Sequence, residues 1–414
     1  MSAAPEVVVI GCGAQGLCTA LQLARLGVRV LAVDRAAPGS QTSARAAGQS
    51  VLAQTEPACG ELMRRTVDKV LRFEEENGVP LVVHQVGSVK LALSDWAAAQ
   101  LEREVERATA IGARMQMVDI AEAASLAPHI DASGAVAAWH SPDDCYWQPP
   151  EMLAALHAAA KRAGVDFRSG IDVHAITVAG GRATGAETSA GPLRAGSVVV
   201  TAGAWAKPLL ERAGVGPLPI AFVRHQYSIR AGVPGIHEAL PSVRIVDHAV
   251  YARPVGANLM FGTYEPQPLE FVPDAVPARA EDVPLDRAAN DEALRQVASV
   301  FHTVDDAAVI ELRGGVVSMT PDRGYLIDQA PDAEGLYFST GCNVMGLSIA
   351  PAFGEDMATW ITTGERPATF APFGLDRFAG LGLTPDETRR RSLARYESIY
   401  RDDESAGHVR PYGG

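Results

Sequence analysis

Gly11, Gly13 and Gly16 stand in the spacing G-x-G-x-x-G, and Asp34 follows 23 positions after the first of them. This pattern suits a dinucleotide pyrophosphate. The first glycine permits a tight turn, the second lets the backbone approach the phosphates, and the third lets a helix pack close to a strand. Ala14 and Gln15 lie inside the motif, where free N–H groups at a helix start attract anions. Asp34 can accept hydrogen bonds from a ribose and would repel a 2′-phosphate, so FAD or NAD fits better than NADP. The sequence holds no G-x-S-x-G motif and no Cys/His metal spacing. Redox-cofactor chemistry is therefore expected, without a covalent nucleophile or a metal.

The elements around the motif have the matching pattern. Residues 7–10 are a β-branched run, as in a strand buried on both faces. A helix follows with Leu17, Ala20, Leu21 and Ala24 on one face and Gly27 past its end, and residues 28–33 form a second apolar strand ending on Asp34. This is a βαβ unit. The whole chain has 414 residues, enough for two modules, with 47% hydrophobic and 21% charged residues. The net charge of −13 argues against nucleic acid or an anionic membrane as partner. Five scattered cysteines without C-x-x-C pairing fit reduced thiols in the cytoplasm. No signal peptide or membrane span is expected, because Gly11 breaks the first apolar run at once.

Later segments choose between FAD and NAD. Residues 40–50 read Ser-Gln-Thr-Ser-Ala-Arg-Ala-Ala-Gly-Gln-Ser; a β-rich region ends in Val198-Val199-Val200-Thr201-Ala202-Gly203-Ala204-Trp205. Thr320-Pro321-Asp322 precedes Gly341-Cys342-Asn343-Val344-Met345-Gly346-Leu347-Ser348-Ile349-Ala350-Pro351. With the N-terminal motif, these resemble the D-amino-acid-oxidase superfamily of flavoproteins over roughly residues 5–375. Arg45-Ala46-Ala47-Gly48, Arg224-His225-Gln226-Tyr227 and Arg395-Tyr396-Glu397-Ser398-Ile399-Tyr400, continuing to Arg410-Pro411, are most similar to the dimethylglycine/sarcosine dehydrogenase type. The folate-binding half of those enzymes does not follow here, so a one-carbon product is expected to be released. Methylene-tetrahydrofolate made by the purified chain would refute that.

The resemblance implies an α/β fold. A Rossmann-like, glutathione-reductase-type FAD domain (1–80, 147–220 and 315–370) interweaves with an α+β substrate domain carrying a mostly antiparallel sheet (81–146 and 221–314). A C-terminal helix and tail occupy 371–414. Strands around Val173 and Val198 are expected to extend the nucleotide-binding sheet, 266–286 to be an exposed loop, and 386–401 a charged surface helix. FAD, held non-covalently, would contact Gly11, Gly13, Ala14, Gln15, Gly16, Asp34, Arg35, Ser43, Arg45, Ala46, Ala47, Gly48, Val173, Ala202, Gly203 and Trp205. The C-terminal loop would add Gly341, Asn343, Val344, Met345, Gly346 and Leu347, with backbone N–H groups at Gly341 and Gly346 facing the flavin carbonyl edge.

Flavin amine oxidation asks the protein mainly to position a C–H over flavin N5 and to keep the amine neutral. The resemblance places Arg45 along the flavin and His225 beside the substrate, as acceptor of the amine proton. Tyr251 and Arg253, two apart on a strand, share a face and could line the pocket or hold a carboxylate. Tyr264 and Arg313 are further candidates. Val317 and Met345 replace the carboxylate-binding Arg and Lys of glycine-oxidase and sarcosine-oxidase types. Arg45 and Gly315 replace the covalent flavin anchors, and Met260 stands near the position of an oxygen-assisting Lys. The expectation is FAD-dependent oxidation of a secondary or N-methylated amine or amino acid to an imine, with oxygen or a carrier as electron acceptor. A D-amino-acid or opine-type enzyme, a flavin subunit of a larger homo- or hetero-oligomer, and an NAD dehydrogenase are the rivals.

Overall fold

The computed structural model describes residues 5–302, 304 and 307–401. The expectations at Arg410 and Pro411 lie outside these residues.

Strand β1 (Val7–Ile10), helix α1 (Ala14–Arg25) and strand β2 (Val30–Asp34) form the βαβ unit. β1 is the centre of a six-stranded sheet, flanked in parallel by β2 and by Ser197–Val200. Asp166–Ser169 extends the sheet beyond β2, Leu336–Thr340 extends it on the other side, and Leu326–Gln329 closes that edge antiparallel. Successive β1 side chains face opposite ways, as strand geometry requires. Val7 and Val9 pack under α1 and the helices Pro149–Arg162 and Ala350–Thr363. Val8 and Ile10 face the other core.

The Val173 strand does not extend this sheet. Val173–Ala179, Arg182–Thr188 and Gly191–Arg194 form their own antiparallel meander. The Gly180-Gly181 turn, with φ of +57° and +74°, folds the chain straight back onto itself, so its nearest partner is local.

The second sheet has nine strands. Its longest pair, at one edge, is Ala221–Ala231 against Ala308–Met319. Asn258–Thr263, Val250–Val255, Ser242–Ile245, Ser88–Ala92 and Ala137–Ser141 continue it, antiparallel except where Ser242–Ile245 runs parallel to Ser88–Ala92. Ala308–Met319 belongs to this sheet along its length, so the division drawn at 314/315 falls inside one strand.

One loop and one helix depart from expectation. Residues 266–286 are not simply exposed: Glu270–Phe271 pairs with the sheet, and Ala280 and Val283 are buried. The C-terminal helix is Pro385–Glu397, opened by a Thr384/Glu387 capping box. It is charged, yet Ser392 and Tyr396 are buried against the second sheet. Among the described residues no helix is long and apolar enough to cross a membrane.

Candidate active site

A long cleft is lined from both sheets. The six-stranded sheet contributes Ile10, Val33 and Asp34 at its strand ends, with the turn Gly11, Gly13, Ala14 and Gln15. The second sheet contributes His225, Tyr251 and the run 315–318, and Tyr264 follows Asn258–Thr263 into the wall.

The glycines behave as the motif requires. A Cβ on Gly16 would lie 1.9 Å from Gly11 O, so only glycine lets α1 pack this close. A Cβ on Gly13 would meet Ser43 Oγ at 3.1 Å. Helix α1 has no acid in its first turn and no side-chain cap. Gln15 lines the cleft with Nε2 buried and unpartnered among the described residues, while its Oε1 accepts from Ser339 Oγ. An idle donor at a helix N-terminus is what a pyrophosphate completes. Asp34 accepts from the backbone N–H of Cys12 (2.7 Å) and Ala36 (2.8 Å), and burial raises its pKa. Arg35 stacks on Trp205, 5.6 Å from the ring centre, beside Ile171 and Val173. This cradle fits an adenine dinucleotide.

The other flank is the loop after Leu336–Thr340. Val344, Met345, Gly346 and Leu347 line the cleft; Gly341 and Asn343 do not. Asn343 is buried, donates to Gly341 O and Gly324 O, and accepts from Thr320 N and Oγ1. This network holds Asn343 and Val344 at φ of +46° and +65°, a conformation a β-branched residue rarely adopts. Asn343 therefore shapes the loop from behind. Gly341 is needed for its own φ of +61°, where a Cβ would meet Thr320 Cγ2 at 2.7 Å.

His225 is the centre of the polar group on the second sheet. Its Nε2 is 2.9 Å from Tyr251 Oη and its Nδ1 is 2.9 Å from Tyr396 Oη. Tyr264 stacks on the imidazole at 4.7 Å. Tyr396 also donates to Arg224 O at 3.3 Å. The chain is satisfied when Nδ1–H donates to Tyr396 and Nε2 accepts the Tyr251 hydroxyl proton, a tautomer assigned from these partners. Tyr251 then turns oxygen lone pairs toward the cleft. Burial lowers His225 to about 4 and pushes the Tyr251, Tyr264 and Tyr396 phenols well above their ordinary range. The imidazole is thus neutral at pH 7 and weaker as a base than an exposed histidine.

Among the other expected residues, Arg45, Ser43, Ala46, Ala47, Gly48, Ala202 and Gly203 line the cleft. The Arg45 guanidinium is turned onto its own loop, donating to Ser40 O (2.7 Å) and Gln41 O (3.3 Å), with Glu281 at 3.7 Å. Gly16 lies beneath the turn. Arg253 does not line the cleft: it is buried and donates to Ala47 O, Trp147 O and Pro254 O. It does share the Tyr251 face, but the 46–48 loop covers it, so it props the loop. Arg313 pairs with Glu311, and Met260 is buried in the sheet. Tyr396, Gln49 and Arg244 were not anticipated. An aromatic residue in an otherwise charged helix was the available signal for Tyr396.

Residues 6–360 match the profile of the family described as DAO, FAD dependent oxidoreductase. The chain belongs to this family. Its cofactor is therefore FAD, an adenine dinucleotide of the kind the cradle above fits. Among the curated relatives of this flavoprotein, 4-methylaminobutanoate oxidase (formaldehyde-forming) of Paenarthrobacter nicotinovorans is 25% identical, over 91% of this chain and 46% of its own length. Mitochondrial sarcosine dehydrogenase of Homo sapiens is 28% identical, over 95% of this chain and 44% of its own. The chain thus spans about half the length of these relatives. The crystal structure of L-proline dehydrogenase from P. horikoshii superposes with a TM-score of 0.83 at 23% identity, covering 93% of this chain and 100% of the other, and shows the shared fold. This family member is an FAD-dependent oxidoreductase with amine and amino-acid oxidases and dehydrogenases among its homologues.

Proposed function

We propose that this flavoprotein oxidises the C–N bond of a secondary or N-methylated amine or amino acid to the imine, with hydride passing from the substrate carbon. The His225–Tyr251 pair facing the cleft carries this reading. Bound flavin supplies the two-electron acceptor. The protein residues hold the amine and its proton. Tyr251 Oη accepts from the substrate N–H, and a proton leaving nitrogen passes to Tyr251 and on to His225 Nε2. Val317, Met345 and Val344 make that part of the wall apolar, which favours the neutral amine that the reaction needs. The relatives named for 4-methylaminobutanoate and sarcosine support an N-methylated substrate.

Product analysis tests the reaction. An N-methyl amino acid turned over with a dye acceptor is expected to give one aldehyde and one dealkylated amine per two electrons. Dye reduction without aldehyde or amine release would sink the proposal.

A further inference from the structure

The cleft residues at the two usual carboxylate-binding positions, Val317 and Met345, carry no charge. The cleft's own cations are occupied elsewhere. Arg35 stacks on Trp205, Arg45 bonds its own loop, and Arg212 donates to His174 O.

A further cation lies directly behind the wall near Tyr251. Arg244 is 0% exposed and sits opposite Tyr251 in the antiparallel register and opposite Lys90 in the parallel one, so all three share a sheet face. Its Nη2 donates to Ser50 O at 2.9 Å. Ser50 is flanked by Gln49 and Val51, which both line the cleft. Nε and Nη1 of Arg244 are buried without a hydrogen-bond partner among the described residues. The Asp144 carboxylate is 3.7 Å from Nη1, but it already accepts from Ser50 Oγ, Ser88 Oγ and Leu52 N. Lys90 is matched by Glu104 at 2.7 Å and so does not compete for an anion. The Tyr400 hydroxyl lies beside Arg244, whose positive charge opposes the rise that burial imposes on the Tyr400 phenol and on that of Tyr264, a wall residue.

Gln49 is an independent sign of a ligand. It is 8% exposed, lines the cleft, and has Oε1 buried without a partner among the described residues. Buried polar groups left idle cost stability unless something completes them. Here the idle acceptor belongs to the chain neighbour of Ser50, and the idle donors belong to the guanidinium that bonds Ser50 O. Their pairing complements an amine N–H and a carboxylate on one molecule.

We propose that Arg244 and Gln49 form the subsite for the polar end of an amino-acid substrate, Arg244 taking the carboxylate in place of the Tyr400 hydroxyl and Gln49 Oε1 accepting an amine N–H. This rests on the amine-oxidation reading and narrows it to substrates that carry a carboxylate. Arg244 and Gln49 then set specificity, while Tyr251 and His225 handle the proton.

The test uses the FAD-loaded protein and amine-free probes: acetate, propionate and butyrate against their amides, with binding read by calorimetry and by the flavin absorbance change. The acids are expected to bind about tenfold or more tightly than the amides, and Arg244→Gln to lose about that factor for the acids alone, with FAD content and amide binding unchanged. If Arg244→Gln does not fold, Tyr400→Phe replaces it, because removing the displaced hydroxyl is expected to tighten acid binding. Equal binding of acids and amides, undiminished acid binding in Arg244→Gln, or no tightening in Tyr400→Phe overturns the subsite. Acid binding without flavin reduction by any amine would overturn the amine reading and leave the subsite standing.

Discussion

Tyr251 is the residue on which the proposed proton path turns. Its oxygen faces the cleft because His225 takes its proton, and His225 keeps the required tautomer because Tyr396 accepts from Nδ1. Tyr251→Phe is expected to slow anaerobic flavin reduction by about a hundredfold with FAD content unchanged; stopped-flow mixing reads this. His225 also makes stability depend on pH. Its folded value of about 4 lies below the ordinary 6.5, so between these values the unfolded chain binds a proton that the folded chain does not. Stability therefore falls as pH drops from about 6.5 toward 4. Chemical denaturation is expected to show a loss of about 2 kcal/mol between pH 7 and pH 5 from this group, absent in His225→Gln. A short motif points to the turn glycines, a two-residue strand period to the face of Tyr251, and the family resemblance to His225; all three places fall at the cleft or its turn. For Arg253 the period gives the face but not the loop that covers it.

At the scale of elements, the site depends on close approaches that side chains would block. Tyr251 lies down over Gly262, where an added Cβ would come within 2.2 Å of the ring. Gly262→Ala is expected to lift the phenol off His225 and lower the flavin reduction rate about tenfold or more, while FAD stays bound. A normal rate in that variant would show that the phenol's position is unimportant. The βαβ unit was readable because strand, turn and helix are contiguous. The helix Pro385–Glu397 was readable as a helix, but its part in the site was not. Tyr396 reaches His225 from 171 positions away in sequence, and no local pattern encodes that approach. The run at Val173 reads as a strand, but its pattern does not specify a partner; the Gly180-Gly181 turn pairs it locally, away from the six-stranded sheet.

At the scale of the whole molecule, the cleft forms where strand ends of the six-stranded sheet meet residues along the strands of the second sheet, each sheet being built from separated stretches of chain. Family resemblance anticipated this interweaving; composition alone allowed only two modules. The same resemblance bears on the flavin linkage. Gly315 and Arg45 stand where related enzymes carry anchoring side chains, and both line the cleft. Acid precipitation is therefore expected to release FAD into the supernatant, whereas yellow colour kept in the pellet would indicate a covalent bond. The central claim is amine oxidation, and anaerobic mixing of the FAD-loaded protein with N-methyl amino acids, D-amino acids and simple secondary amines tests it most directly. Loss of the flavin absorbance with an N-methylated amino acid is expected; a flavin that stays oxidised with every member of the panel would rule amine oxidation out.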